Sequence, residues 1–404
     1  MFAYSNSLYR IFYCSLFVYF LQSMYAWFLW GNAIKVILLS FVFILCFVHQ
    51  YINKELYTEF TVRHYIIGAL IFLLSINSVL ESDILSWIKS FFGIYIFVNV
   101  LQLKTIVKQD LYQRFFKAFG VISLVSIIGW LFFLLGVNLP HSVLYDEVYG
   151  YQFDNYYIFL NSLVLLVPRF SSIFLEPGQY AMVAVIFLHI NGFKLKNVYN
   201  FAIFLSVLFT LSIAGYVIML LSVSFLYFKK KNLIYYISVF LVLAFVWSFS
   251  QTYNDGNNII NMKITERLHY EDGKLSGNNR NSADYDKFYN KFIETPQVLF
   301  GDRGASMHRE WDGGNAGYKV YIVTNGIIPT IACVLLYFLM TGFSTDKKKA
   351  FYLFFLEMLI FWQNTFPLWF AVYSTYLFGL SNYVRLVKKP EEDSETNSGE
   401  YYLV

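Results

Sequence analysis

Most of the chain is a succession of apolar runs, each about one helix long, separated by short polar connectors. A hydrocarbon core about 30 Å thick is crossed by roughly twenty apolar residues in a helix. Runs of that order stand at about 11–30, 34–51, 65–80, 84–103, 117–137, 177–192, 198–212, 214–228, 233–250, 318–340, 350–363 and 367–386. Inside lipid every backbone polar group must be paired within the protein, so such runs cross as helices. The expected fold is therefore an all-α polytopic membrane protein with about 12 transmembrane helices. Composition agrees: 58% of residues are hydrophobic and 14% charged, against about 25% charged in soluble domains. The stretch 198–228 is too long for one helix, and the small residues at 212–215 mark a turn or kink. Residues 1–30 read as a first span, because no small-residue cleavage text follows them and further spans do. Cys14, Cys46 and Cys333 each sit inside an apolar run, which suits small free hydrophobes rather than a disulfide framework.

Orientation follows from Lys and Arg in short loops. The basic connectors lie at 54–63, 104–117, 194–196, 229–231, 347–349 and 385–389, and alternating spans place all of them on one side. That side is expected to be the cytoplasm, with both termini there. The opposite connectors are acidic or neutral, with Glu81, Asp83, Asp146, Glu147 and Asp154 among them. This predicts a bacterial inner-membrane protein with an N-terminal bundle at 1–250 and C-terminal helices at 318–389. Residues 390–404, acidic and rich in Ser and Asn, are expected to be a disordered cytoplasmic tail.

Two segments on the outer side are long. Residues 138–176 contain the apolar run 156–167, too short to span comfortably, which predicts a re-entrant or interfacial helix. Residues 251–317 form the one large polar loop, expected to be periplasmic. The polar stretch, taken to Tyr318, carries Arg267, Arg280, Arg303, Arg309, His269, His308 and ten carboxylates. Within it, Tyr285, Phe288, Tyr289, Phe292 and Ile293 recur at helical spacing and predict an amphipathic helix at about 282–294.

Arg169 and Glu176 stand at the mouth of the sixth expected span, where Pro177 suits the first turn of a helix. Charges there are costly to desolvate, which favours a use for them; the alternative is an interfacial Arg beside a capping Glu. Glu357 is an isolated carboxylate in mid-span, either functional or silently protonated, or paired with Lys35 or His189. No Asp, His or Cys cluster has a metal-ligand spacing.

The text Arg169-Phe170-Ser171-Ser172-Ile173-Phe174-Leu175-Glu176-Pro177-Gly178 resembles the signature of bacterial O-antigen polymerases and the related O-antigen ligases. A second similar block starts at Arg280 and reaches Pro296-Gln297-Val298-Leu299-Phe300-Gly301-Asp302-Arg303-Gly304. Tyr318 followed by Thr324-Asn325-Gly326-Ile327-Ile328-Pro329 is the third. The blocks cover about a tenth of the chain. Arg303 and Gly314 also match Arg-x10-Gly text described for the polymerases, whereas Arg169 meets Tyr180 at that spacing. Ligases carry a His-Asn pair before the span after the large loop; here that His position holds Asn315, with His308 seven residues earlier. The departure favours polymerase over ligase.

The resemblance implies an architecture like that of the GT-C membrane glycosyltransferases. It also implies an activity: polymerising oligosaccharide units carried on undecaprenyl pyrophosphate at the periplasmic face. The alternatives are the ligase, which moves glycan onto lipid A core, and a lipid-linked oligosaccharide flippase. Expulsion of a lipid pyrophosphate builds negative charge, which guanidinium groups are suited to grip. Arg169, Arg280 and Arg303 are the candidates for that grip. Glu176, Asp302 and His308 are candidates for a base, Glu176 being equally a partner that orients Arg169. His308, Trp311 and Tyr318 are candidate substrate-binding residues, the aromatics by stacking on sugar rings. The donor is already activated, so no cofactor and no metal are expected. A separate chain-length regulator and membrane lipid are the expected partners besides substrate, with no nucleic acid.

Overall fold

The runs expected to span become helices wherever the structure, a computed structural model, describes them. It describes residues 7–77, 84–146, 150–163, 168–228, 248–258, 261, 270–271, 274–275, 283–302, 317–363, 368–384, 386–388 and 401–403. In chain order the helices are α1 (Ser7–Ser23), α2 (Asn32–Ile52), α3 (Val62–Asn77), α4 (Ile84–Gln102) and α5 (Thr105–Leu134). They continue with α6 (Pro177–Ile190), α7 (Val198–Phe209), α8 (Ile213–Tyr227) and α9 (Ala283–Phe292). The last are α10 (Gly317–Asn325), α11 (Ile327–Met340), α12 (Lys347–Gln363) and α13 (Phe370–Ser381). The chain is thus mostly helical. The expected run at 233–250 lies almost wholly outside the described residues.

Among the described residues three helices, α2, α4 and α5, are long and apolar enough to cross a membrane, and α10 with α11 makes a fourth if the bent pair is one span. The exposed stripe of α2 shows what surrounds them. Ile37, Phe41, Ile44, Phe47 and Tyr51 lie along one helical face and are all exposed, Ile37 by 68%. Its opposite stripe, Leu39, Val42, Cys46 and His49, is buried. A helix in water pairs a buried apolar face with a polar one; here both faces are apolar, as lipid requires. By contrast α6 is buried from Gln179 to His189 and α13 from Phe370 to Ser381. These two helices are the middle of the bundle, and apolar residues all round them are what that position demands.

Polar contacts gather the connectors into two ends. At one, Gln109 Nε2 donates to Ser381 O at 2.6 Å, and the Tyr9 hydroxyl to Asp110 at 2.7 Å. There too the Lys104 N–H reaches Leu56 O at 2.8 Å and the Asp346 N–H reaches Tyr383 O at 3.1 Å. This end carries Lys54, Arg63, Lys104 and Lys347, the grouping expected from the basic connectors. At the opposite end, Ala371 N–H donates to Ser23 Oγ at 2.9 Å and Asn77 Nδ2 to Asn325 O at 3.0 Å.

Several expectations are corrected. The described part of the apolar run 156–167 is not helical. It closes a three-stranded antiparallel meander, β1 (Ser142–Asp146), β2 (Tyr151–Asn155) and β3 (Leu160–Ser162), in the order β1-β2-β3. Asn155 Oδ1 accepts from the Tyr157 N–H at 2.9 Å, and Tyr157 takes φ 67°, so the chain reverses here instead of coiling. The basic connector expected at 104–117 is mostly the start of α5, which at 1.5 Å per residue is about 45 Å long. The expected span 318–340 is broken at Gly326, where α10 and α11 meet with a bend of 118°. Of the tail, the described Tyr401–Leu403 pairs antiparallel with Leu386–Lys388. Glu357 is buried, but its expected partners are engaged elsewhere: Lys35 lies over the Tyr25 ring and His189 Nδ1 meets Ser222 Oγ at 2.7 Å. The turn expected at 212–215 does form, with Ser212 Oγ accepting from the Gly215 N–H as the cap of α8.

Candidate functional site

The loop before α6 is held by its apolar residues. Phe170 and Phe174 are fully buried; Phe170 meets Trp130 and Tyr180 edge-on, and Phe174 packs on Phe119. Backbone bonds fasten the same loop to three neighbours. Phe170 N–H donates to Phe209 O at 3.0 Å, Trp27 N–H to Ile173 O at 3.1 Å, and Leu160 N–H to Ser172 O at 2.9 Å. Ser172, at φ 55°, shares a 2.8 Å hydrogen bond with Ser126. Phe153, Leu160 and Leu175 form a small core that seats the meander on this loop. The phenylalanines and Ser172 of the first block therefore build a rigid support from which the two charged residues project.

Arg169 is fixed by the C-terminal end of α7. Its Nε donates to Thr210 O at 2.9 Å and its Nη2 to Leu211 O at 3.4 Å. Carbonyls left over at a helix C-terminus carry partial negative charge and attract a cation. Leu211 sits at φ 47° in the α7–α8 turn, which presents these carbonyls to Arg169. Glu176 occupies the N-cap position of α6, is exposed, and makes no side-chain cap. Among the described residues no ion pair joins it to Arg169, whose Nε and Nη2 donate to the α7 carbonyls.

The second and third sequence blocks come together. Gly301 (φ 84°) and Gly326 (φ 92°) face each other across a backbone-on-backbone contact. A Cβ on Gly301 would lie 2.4 Å from Thr324 O, and one on Gly326 would lie 2.4 Å from Leu299 O. The Asp302 N–H donates to Val323 O at 2.6 Å, which anchors the chain just before Arg303 against the end of α10. Asn77 at the end of α3 donates to Asn325 O, completing the clasp. Only glycine combines this φ with so close an approach of two backbones.

Above the clasp lies an aromatic layer. Helix α9 forms where the amphipathic pattern predicts, and its Tyr285 and Phe292 are buried against Ile322 and Val323 of α10. Tyr318 stacks on Trp362 at a centroid distance of 3.9 Å. Lys319 pairs with Asp286 at 2.6 Å and lies over the Tyr289 ring. Burial pushes the Tyr285 phenol well above its ordinary value, with the neighbouring Tyr289 and Asp286 adding to it. Trp362, Lys319 and Asp286 were not singled out in the sequence; only the helical register of Asp286 with Tyr289 and Tyr285 gave any signal for them.

Arg280, Arg303, His308 and Trp311 lie outside the described residues. Of the sequence candidates, Arg169, Glu176, Asp302 and Tyr318 are placed, all at the end of the bundle opposite the basic connectors. No hydrogen bond or ion pair among the described residues joins Tyr318 to Arg169 or Glu176. Comparison with protein-family models, with curated proteins and with solved structures finds no match for the chain.

Proposed function

We propose that this chain is a membrane glycosyltransferase that polymerises lipid-linked oligosaccharide units into O-antigen or a similar surface polysaccharide. In this reading it crosses the bacterial inner membrane about twelve times, with a GT-C-like architecture, both termini in the cytoplasm and the loop end in the periplasm. The observation that carries it is the clasp. Two blocks that resemble the polymerases are separated in sequence by residues 305–317, yet Gly301 and Gly326 bring them into backbone contact.

The chemistry follows from the donor. A hydroxyl oxygen of the incoming unit attacks the anomeric carbon of the growing chain. The bond to the lipid pyrophosphate oxygen breaks with its electron pair, and the hydroxyl proton passes to a base. Arg169, already held in place by two carbonyls, contributes a positioned charge toward the leaving pyrophosphate, with Arg280 and Arg303. Preorganisation matters here because a donor that need not reorient stabilises charge at the moment it develops. Glu176, which is exposed, remains a candidate base together with Asp302 and His308. Tyr318 on Trp362, with Trp311, offers flat apolar surface to sugar rings.

Complementation of a strain lacking the gene tests this. Wild type is expected to restore a ladder of glycan lengths, and Arg169→Ala, present in the membrane at normal level, to leave single-unit product. A strain that accumulates no surface-linked single unit at all points instead to the ligase or the flippase. A normal ladder from Arg169→Ala, Arg280→Ala and Arg303→Ala would remove the arginine site.

A further inference from the structure

At the basic end, far from the clasp, two cationic side chains and an imidazole, from the starts of two helices, converge on one ring. Arg63 Cζ lies 5.5 Å and Lys108 Nζ 5.3 Å from the centroid of Phe343, and the His64 ring lies 5.1 Å from it. Gly342 makes room for this: a Cβ there would stand 2.4 Å from the Arg63 guanidinium. The three side chains come from the first turns of α3 and α5, and the ring from the α11–α12 link.

Among the described residues the donors converge without an anion. Lys108 is only 5% exposed, yet its ammonium donates one hydrogen bond, to Leu101 O at 2.6 Å. Among the described residues Arg63 donates none, although a guanidinium has five N–H groups. His64 Nδ1 accepts from the Thr61 N–H at 3.2 Å, so its Nε2 carries the remaining hydrogen. The charges that act on His64 are Lys108 and Arg63, with no carboxylate among them. The nearby Asp346 is paired with Lys349 at 3.0 Å. A buried ammonium compensated only by a carbonyl and a ring face is costly, and an anion seated among these donors would offset that cost.

We infer that Arg63, His64 and Lys108 form a phosphate-binding site at the basic end of the bundle. Its chemistry suits a phosphate ester or free phosphate, since Arg63 presents a fork and Lys108 a point charge. The setting favours the ester of a phospholipid. Val62, Tyr65 and Ile66 of α3 beside Arg63 are exposed apolar residues, as are Leu335 and Phe338 of α11. Acyl chains would lie along these faces with the headgroup at the cations, as basic pockets between membrane helices hold anionic lipids.

Thermal melting of the full chain in a neutral detergent tests the inference, with titration by dioctanoyl phosphatidylglycerol, inorganic phosphate or dioctanoylglycerol. Saturable stabilisation by phosphatidylglycerol and not by dioctanoylglycerol is expected, with the apparent Kd weakened about tenfold in Arg63→Gln through loss of a charge-assisted hydrogen bond. Gly342→Ala, which keeps every charge but displaces the guanidinium, is expected to weaken it too. Equal stabilisation by inorganic phosphate would assign the site to a soluble phosphate. The inference fails if neither phosphate compound stabilises the protein, or if dioctanoylglycerol does as well as the phospholipid. It fails equally if Arg63→Gln and Gly342→Ala bind as wild type does.

Discussion

Gly326→Ala is the sharpest probe of the clasp. Gly326 has φ 92° and ψ 171°, a region that residues with a Cβ essentially avoid. Forcing alanine there costs about 1–3 kcal/mol in backbone strain. The new methyl group would also stand 2.4 Å from Leu299 O and 2.5 Å from Phe300 Cα, both backbone atoms that no rotamer change can move. Ordinary contact begins near 3.4 Å, so the two strands of the clasp must part by about 1 Å. The bond from Asp302 N–H to Val323 O then lengthens or breaks, at about 1 kcal/mol. The sum is roughly 2–4 kcal/mol, enough to open the clasp locally. Gly93→Ala is the control: it lies inside α4 with no atom within 4 Å of a new Cβ, and alanine is expected to be neutral or stabilising by up to about 1 kcal/mol. Melting and limited proteolysis of the purified full chain read the difference. Gly326→Ala should melt several degrees lower and become cleavable near residues 293–302, while Gly93→Ala matches wild type. If both variants behave alike, the backbone contact between the second and third blocks is not what holds them together.

The remaining expectations are shorter. Arg169→Lys keeps the charge but cannot donate both to Thr210 O and to Leu211 O in the fork geometry; the glycan ladder should shorten sharply while membrane level stays normal. Tyr318→Ala and Trp362→Ala should each weaken melting, with a coupling of about 0.5–1.5 kcal/mol in a double-mutant cycle if the stack at 3.9 Å is formed in the membrane protein. Burial raises the folded pKa of Tyr285 above its unfolded value near 10, so its contribution to stability is complete below about pH 10 and falls as pH rises toward the folded value. Stability measured from pH 9 upward should decline less steeply in Tyr285→Phe; an unchanged slope would mean the phenol is solvated.

How much of this was legible depends on range. Apolar periodicity and length are local properties, and they gave α2 to α4, α6 to α8, α12 and α13 within a few residues, because lipid leaves a long apolar run no conformation but a helix; the ends of α1, the start of α5 and the break before α11 were not legible in this way. The amphipathic spacing of Tyr285, Tyr289 and Phe292 likewise predicted α9. The meander at 142–162 escaped because its strands are short and the turn at 155–157 rests on one asparagine side chain, a weak signal beside an apolar run. The charge pattern grouped Arg63 and Lys108 at one end of the bundle, but no pattern in the text brings these two connectors to Phe343, which lies in a third. For the candidate site, the sequence determined which residues carry charge and where glycine interrupts a helix. Only the tertiary structure decided that Arg169 donates to the α7 carbonyls and that Gly301 meets Gly326. Such pairings join residues far apart in the chain, and they exist only once the helices that carry them have packed.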